Sequence, residues 1–176
     1  MTPSSNRVLA IIPVQTDYWE LSFDIIVEQD FPFWTNILQL TTNEAENQDY
    51  VIGWRIPALY LYGKSLQIRF SSDTNNNVQG SVNLNLNQKY QFKIRQCRDF
   101  HNINTKFVKL VFLDGKLVMS YLHGIFAAPF HNVKFYFGDK SYRQAPVRVS
   151  NLVYTPNLLY TGKNFFDPKS SISSFI

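Results

Sequence analysis

Three carboxylates recur on one side of a single run. In YWELSFDIIVE, Glu20, Asp24 and Glu28 are spaced four apart, and in an extended chain residues an even number apart share a face. Carboxylates that confront one another across a groove are the machinery of glycoside hydrolysis, so this run is the candidate for catalysis. A second group is rich in hard oxygen ligands: Asp73, Asn75, Asn76 and Asn77 in one stretch, and Asn43, Glu44, Glu46 and Asp49 in another. Such clusters suit calcium, with Asp73 and Asn75 as the candidate metal ligands. Asn and Asp also build ordinary turns through their own side-chain hydrogen bonds, which is the competing explanation. A third group could stack on a sugar. Trp34 and Trp54 flank expected loops, and an apolar sugar face packs on Trp while amides and carboxylates take the hydroxyls. Both rings could equally plug the end of a core. Arg55, before Ile56 and Pro57, is either a ligand group or a hydrogen-bond donor that fixes a corner. The ligand-binding candidates are therefore Trp34, Trp54, Arg55, Asp73, Asn75 and Asn77.

Other constellations are incomplete. His101, His123 and His131 fall in separate segments, and no set of three or four metal ligands accompanies them. Cys97 lies near His101 but lacks a third residue to orient a nucleophilic pair. As the single cysteine, it excludes an intramolecular disulfide and leaves the redox compartment open.

The elements that must position these residues are strands. From Tyr18 onward, Trp19, Leu21, Phe23, Ile25 and Val27 alternate with Glu20, Ser22 and Asp24, the pattern of a long strand with one buried face. TNILQLTT follows the break at Pro32. ALYLY and SLQIRF are joined at Gly63 and Lys64, and SVNLNLN, KYQFKIRQ, VKFYFGD and VRVSNLVYT continue the series. In KFVKLVFLDGKLVMSY, Asp114 and Gly115 separate two apolar runs, a strong signal for a two-residue hairpin turn. Roughly ten or eleven strands are expected, with helices almost absent.

Composition agrees. Aromatic residues make up 16% and charged residues 17% of 176 residues, a mixture that suits half-buried pleated surfaces. Lys and Arg total 17 against 13 Asp and Glu, a net charge of +4, but the bases are spread along the chain. Lys93 and Arg95 alternate with Phe92 and Ile94, which places them on a solvated strand face, and no nucleic-acid motif accompanies them. The run from Val8 to Val14 is interrupted by Pro13 and is too short for a membrane span or a signal peptide. No Asn-x-Ser/Thr sequon is present. After Tyr154 the alternation stops, yet Leu158, Leu159, Tyr160, Phe165, Phe166, Phe175 and Ile176 follow. A solvated tail would avoid so much apolar area. The expected organisation is a sandwich over residues 1–154 and an aromatic extension over 155–176, packed on the domain or on a neighbouring subunit.

The succession YWELSFDI, WTNILQLTT, GWRIPALYLY, QKYQFKIRQ, VKLVFLDGKLV, FHNVKFYFGD and APVRVSNLVYT resembles the laminin G-like or pentraxin-like branch of the concanavalin A-like lectin and glucanase superfamily. The resemblance runs from about Arg7 to Tyr154 and implies an all-β, two-sheet antiparallel jelly-roll sandwich. It also favours an extracellular setting and a lectin-like or adhesive role. Related glucanases carry an E-x-D-x-x-E strand; here Ser22 occupies its middle position, so the motif is not met. The fold hosts lectins, adhesion modules and glycosidases alike. The reading that follows is a non-catalytic module that binds carbohydrate or a glycoprotein, with calcium or with no cofactor at all. A self-assembling structural or adhesion subunit is the second reading and a glycoside hydrolase the third. Homo-oligomers fit the second, and neither nucleic acid nor a membrane span enters any of the three.

Overall fold

The computed structural model describes residues 7–16, 18–42, 55–71, 77–98, 107–123, 130–138 and 142–156. Twelve strands cover most of them: β1 (Arg7–Gln15), β2 (Trp19–Val27), β3 (Thr35–Thr41), β4 (Ala58–Tyr62), β5 (Ser65–Ser71), β6 (Asn77–Asn83), β7 (Lys89–Arg98), β8 (Phe107–Leu113), β9 (Lys116–His123), β10 (Phe130–Phe137), β11 (Arg143–Gln144) and β12 (Val147–Pro156). No helix occurs among the described residues. One sheet runs β1-β10-β3-β4-β5-β6, with β11 added beside β3, and the other runs β12-β2-β7-β8-β9. Apart from the two-residue β11, which is parallel to β3, the named strands pair antiparallel. The expected all-β jelly-roll sandwich is the observed architecture.

Period-2 alternation puts the core between the sheets. Trp19, Leu21, Phe23, Ile25 and Val27 of β2 are all buried, and Phe92 and Ile94 of β7 join them. From the other sheet come Leu38, Leu40, Leu59, Leu61, Leu66, Ile68, Phe70, Val133, Phe135 and Phe137. Phe23 and Phe92 meet with ring centroids 5.4 Å apart, as their opposed register dictates. Near the end of the core, Tyr154 stacks on Trp19. Burial raises the Tyr154 phenol well above its ordinary range, and the Gln15 amide opposes that shift only in part.

Two local devices fix the strand register. At the β8–β9 turn, Asp114 and Gly115 have φ of 49° and 75°, the paired left-handed conformations of the favoured hairpin turn. A Cβ added at Gly115 would meet nothing within 4 Å. Only the backbone term therefore opposes Gly115→Ala, and urea unfolding should show a loss of about 1 kcal/mol. An unchanged midpoint would argue against this turn geometry. In β12 an extra residue interrupts the pairing with β2 between Ser150 and Val153. Asn151, at φ 52°, is the residue that this bulge re-aims.

Sequence and structure part at β1. Pro13 breaks the alternation there and left Val8 to Val14 without an assigned element, yet the segment pairs with β10 from Arg7 to Gln15. It is an edge strand, where a proline costs no ladder bond on the open side. Strand β11 also escaped the sequence pattern, being only two residues long. Strand β12 continues to Pro156, and residues 157–176, with the expected aromatic extension, lie outside the described residues.

Candidate functional site

The outer face of the larger sheet gathers aromatic rings and guanidinium groups. In β4, alternation sends Leu59 and Leu61 into the core and Tyr60 and Tyr62 outward. Tyr60 is cross-strand partner to Asn36 on one side and to Gln67 on the other, so these share its face. Arg69, opposite Ala58, extends the face along β5. Trp34 precedes β3 and leans over the same rings: its indole lies 5.3 Å from Tyr62 and 6.4 Å from Tyr60.

Arg69 is the link between them. Its guanidinium sits 4.8 Å from the centroid of Trp34 and 5.1 Å from that of Tyr60, a cation–π arrangement of a kind that also stiffens both rings. Beyond the end of β10, Gly138 takes φ 79° and donates its N–H to the Ile37 carbonyl. The chain then returns parallel to β3, pairing Arg143 with Thr35 and Gln144 with Asn36. This short ladder brings Tyr142 to within 5.1 Å of Tyr60 and Arg143 to 4.6 Å from Phe33. Trp34 and Tyr62 are 39% and 48% exposed, an open platform of two rings, while Phe33, 49% exposed, packs against Phe31 and Arg143 instead. Beneath it the face is closed: Asn36, Gln39, Ala58 and Tyr60 are buried.

The candidates from the sequence fall out differently. Trp34 is partly exposed and belongs to the platform. Arg55 is buried and donates from Nε to the Tyr60 hydroxyl at 3.3 Å. Asn77 opens β6 opposite Ser71, while Trp54, Asp73 and Asn75 lie outside the described residues, as do the acidic loop from Asn43 to Asp49 and His101. Among the described residues, no group of three His, Cys, Asp or Glu side chains could hold a metal.

The carboxylates of β2, with Glu28 just beyond its end, lie on the opposite sheet, each held by neighbouring bases. Glu20 accepts from Arg95 Nε at 2.8 Å and pairs with Lys93 at 3.2 Å. Asp24 accepts from Asn151 at 2.6 Å and pairs with Lys89 at 2.7 Å, and Glu28 pairs with Arg148 at 2.8 Å. The predicted solvent-side placement of Lys93 and Arg95 is correct, and its effect is to neutralise the strand that sequence alone offered for catalysis. A shallow cleft of about 530 Å³ beside Ser22, Asp24, Lys89, Gln91, Asp114 and Asn151 is lined by these satisfied groups.

Tyr62 and Arg69 were legible in principle, since ALYLY and SLQIRF alternate and place both on the outward face. Phe33 and Arg143 gave no such signal, because neither lies in an alternating run.

No family model matches the chain, and no curated protein sequence matches it. Solved structures do. The receptor-binding domain of botulinum neurotoxin type G superposes with a TM-score of 0.54 at 9% identity, covering 80% of this chain and 34% of that one. The binding domain of botulinum neurotoxin DC in complex with SialylT gives 0.53 at 9%, covering 88% and 41%. A receptor-binding domain of mosaic serotype C/D, with a tetraethylene glycol molecule bound on its Hcn sub-domain, gives 0.52 at 10%, covering 78% and 32%. The chain thus spans about a third of the length of the structures it matches, and at such identities the likeness is one of fold.

Proposed function

We propose that this domain is a non-catalytic carbohydrate-binding module whose sugar stacks on the platform of Trp34 and Tyr62. The observation that carries the reading is the exposure of two adjacent rings on an otherwise closed sheet face. Large apolar groups left in water together mark a binding surface, and rings with polar groups beside them suit a saccharide, which has an apolar face and a hydroxyl rim. The sialylated glycan bound by one structural neighbour and the resemblance to lectin-like sandwiches support the same class of ligand. The laminin G-like or pentraxin-like branch, an adhesive role and calcium assistance through Asp73 and Asn75 stand as parts of this proposal that rest on sequence.

A glycan array probed with the full chain, with and without chelator, tests the reading. Binding to one or more saccharides is expected, and a blank array would overturn it. Loss of signal in chelator would assign calcium a part.

The engaged carboxylates supply the matching prediction against catalysis. Glu20→Gln should leave glycan binding unchanged. Its effect on stability should be small, about 1 kcal/mol or less, since Arg95 and Lys93 remain partly solvated and such pairs are screened. Incubation of the unmodified protein with β-glucans should release no reducing sugar. Hydrolysis that disappears in Glu20→Gln would restore the glycosidase reading.

A further inference from the structure

We infer that the chain beyond Pro156 turns back along the open edge of β1 and covers it with its apolar side chains, so that residues 158–167 close one flank of the same molecule. The two flanks of the sandwich differ. On one, β6 and β9 are in contact and Met119 packs on Gly80. The other is formed by β1 and β12, the opposite end strands of the two sheets, and there Val8, Ile11 and Val14 are 46%, 58% and 41% exposed. An uncovered edge that carries large apolar groups is a template for another segment.

The chain itself delivers such a segment to this flank. Pro156 is the cross-strand partner of Trp19, four residues past the end of β1 at Gln15, and the Gln15 amide bears on the Tyr154 phenol. The 20 residues that follow Pro156 include Leu158, Leu159, Tyr160, Phe165 and Phe166. They start at the Val14 end of β1, and that strand spans only about 30 Å, well within their reach. Returning antiparallel, a chain with Tyr160 beside Val14 brings Lys163 to Ile11, Phe166 to Val8 and Asp167 to Arg7. Apolar groups then meet at both ends of the edge, the aliphatic stem of Lys163 lies over Ile11, and opposite charges meet at the Arg7 end. Pro13 withholds an N–H from the ladder, so side-chain packing carries more of this contact than backbone bonds. The short connection from Pro156 keeps the entropy cost of closure low, which favours the same molecule over a second copy. The exposed Leu117, Val118 and Leu122 of β9 lie on the other flank, away from the point of exit.

The test is a pair of introduced cysteines in the full chain, Ile11→Cys with Lys163→Cys, treated with a short thiol-specific cross-linker. Ile11 is exposed, so folding is not at stake there, and the native Cys97 is buried. A cross-link within one chain is expected, read from the peptide masses, and Leu122→Cys with Lys163→Cys should give none. Hydrogen exchange supplies a second readout: in the double variant Tyr160→Ser, Phe166→Ser, the amides of β1 should exchange roughly tenfold or more faster, while those of β7 keep their rates. Cross-links that join two chains would assign the edge to a second copy and overturn docking within one molecule. An absent cross-link between positions 11 and 163, or unchanged exchange in β1, would overturn the inference as well.

Discussion

Replacing Trp34 with alanine is expected to weaken glycan binding by between ten- and a hundredfold, the largest loss from any single surface substitution. Central aromatic anchors commonly carry about 2 kcal/mol or more of an interface, and each 1.4 kcal/mol is a factor of ten. Trp34 contributes twice: its own face is open to a ligand, and its other contacts hold Tyr62 and Arg69. Removing it also leaves Arg69 with one ring neighbour in place of two. Trp34→Phe, which retains a ring, should recover part of the loss. Since 39% of Trp34 is exposed, the alanine variant should stay folded, as far-ultraviolet circular dichroism would check. An unchanged dissociation constant in a folded Trp34→Ala would rule out the platform as the sugar contact.

Phe92→Ala is expected to cost about 3–5 kcal/mol of unfolding free energy. Its ring is fully buried, packs on Phe23 and sits in β7 between β2 and β8, where rigid ladders on both sides limit collapse into the vacated space. That loss is comparable to the whole stability of many domains. Chemical denaturation should place the midpoint far below that of the unsubstituted chain, with little native signal near 37 °C. A loss under about 1 kcal/mol would show that the two sheets do not meet at this layer.

What the sequence disclosed follows from what alternation encodes. A strand with one dry face announces itself, so β2, β7 and the β8–β9 hairpin were readable, as was the outward side of Glu20, Lys93 and Arg95. Strand β3 is buried over its whole length, and only its flanks, Pro32 and the polar loop after Thr42, marked it. Strand β1 was hidden by Pro13, because a proline tolerated at an edge resembles one that ends a strand. The site was harder still. Trp34 could be named as a candidate, but its neighbours Tyr62 and Arg69 are 28 and 35 residues further along. Proximity of that kind is decided by strand order, which one-dimensional patterning does not contain. The carboxylates of β2 carried the clearest chemical spacing and proved to be neutralised by partners on β7 and β12.

The pairing of β1 with β10, joining Arg7 to Phe137, bears on how the molecule is made. Strand β3 finds one of its neighbours only when β10 arrives, and β2 finds one of its own only with β12. Synthesis from the N-terminal side therefore delivers the middle hairpins first and leaves two apolar half-sheets with open edges until β10 and β12 have been made. Contacts so distant in sequence place a chain in the slow regime of milliseconds to seconds, and open edges are where chains pair wrongly with one another. Tyr142 reaches Tyr60, beside Trp34, only after the larger sheet has closed. Ligand affinity is then a property of the closed sandwich alone, and a bound saccharide holds that state against unfolding by mass action.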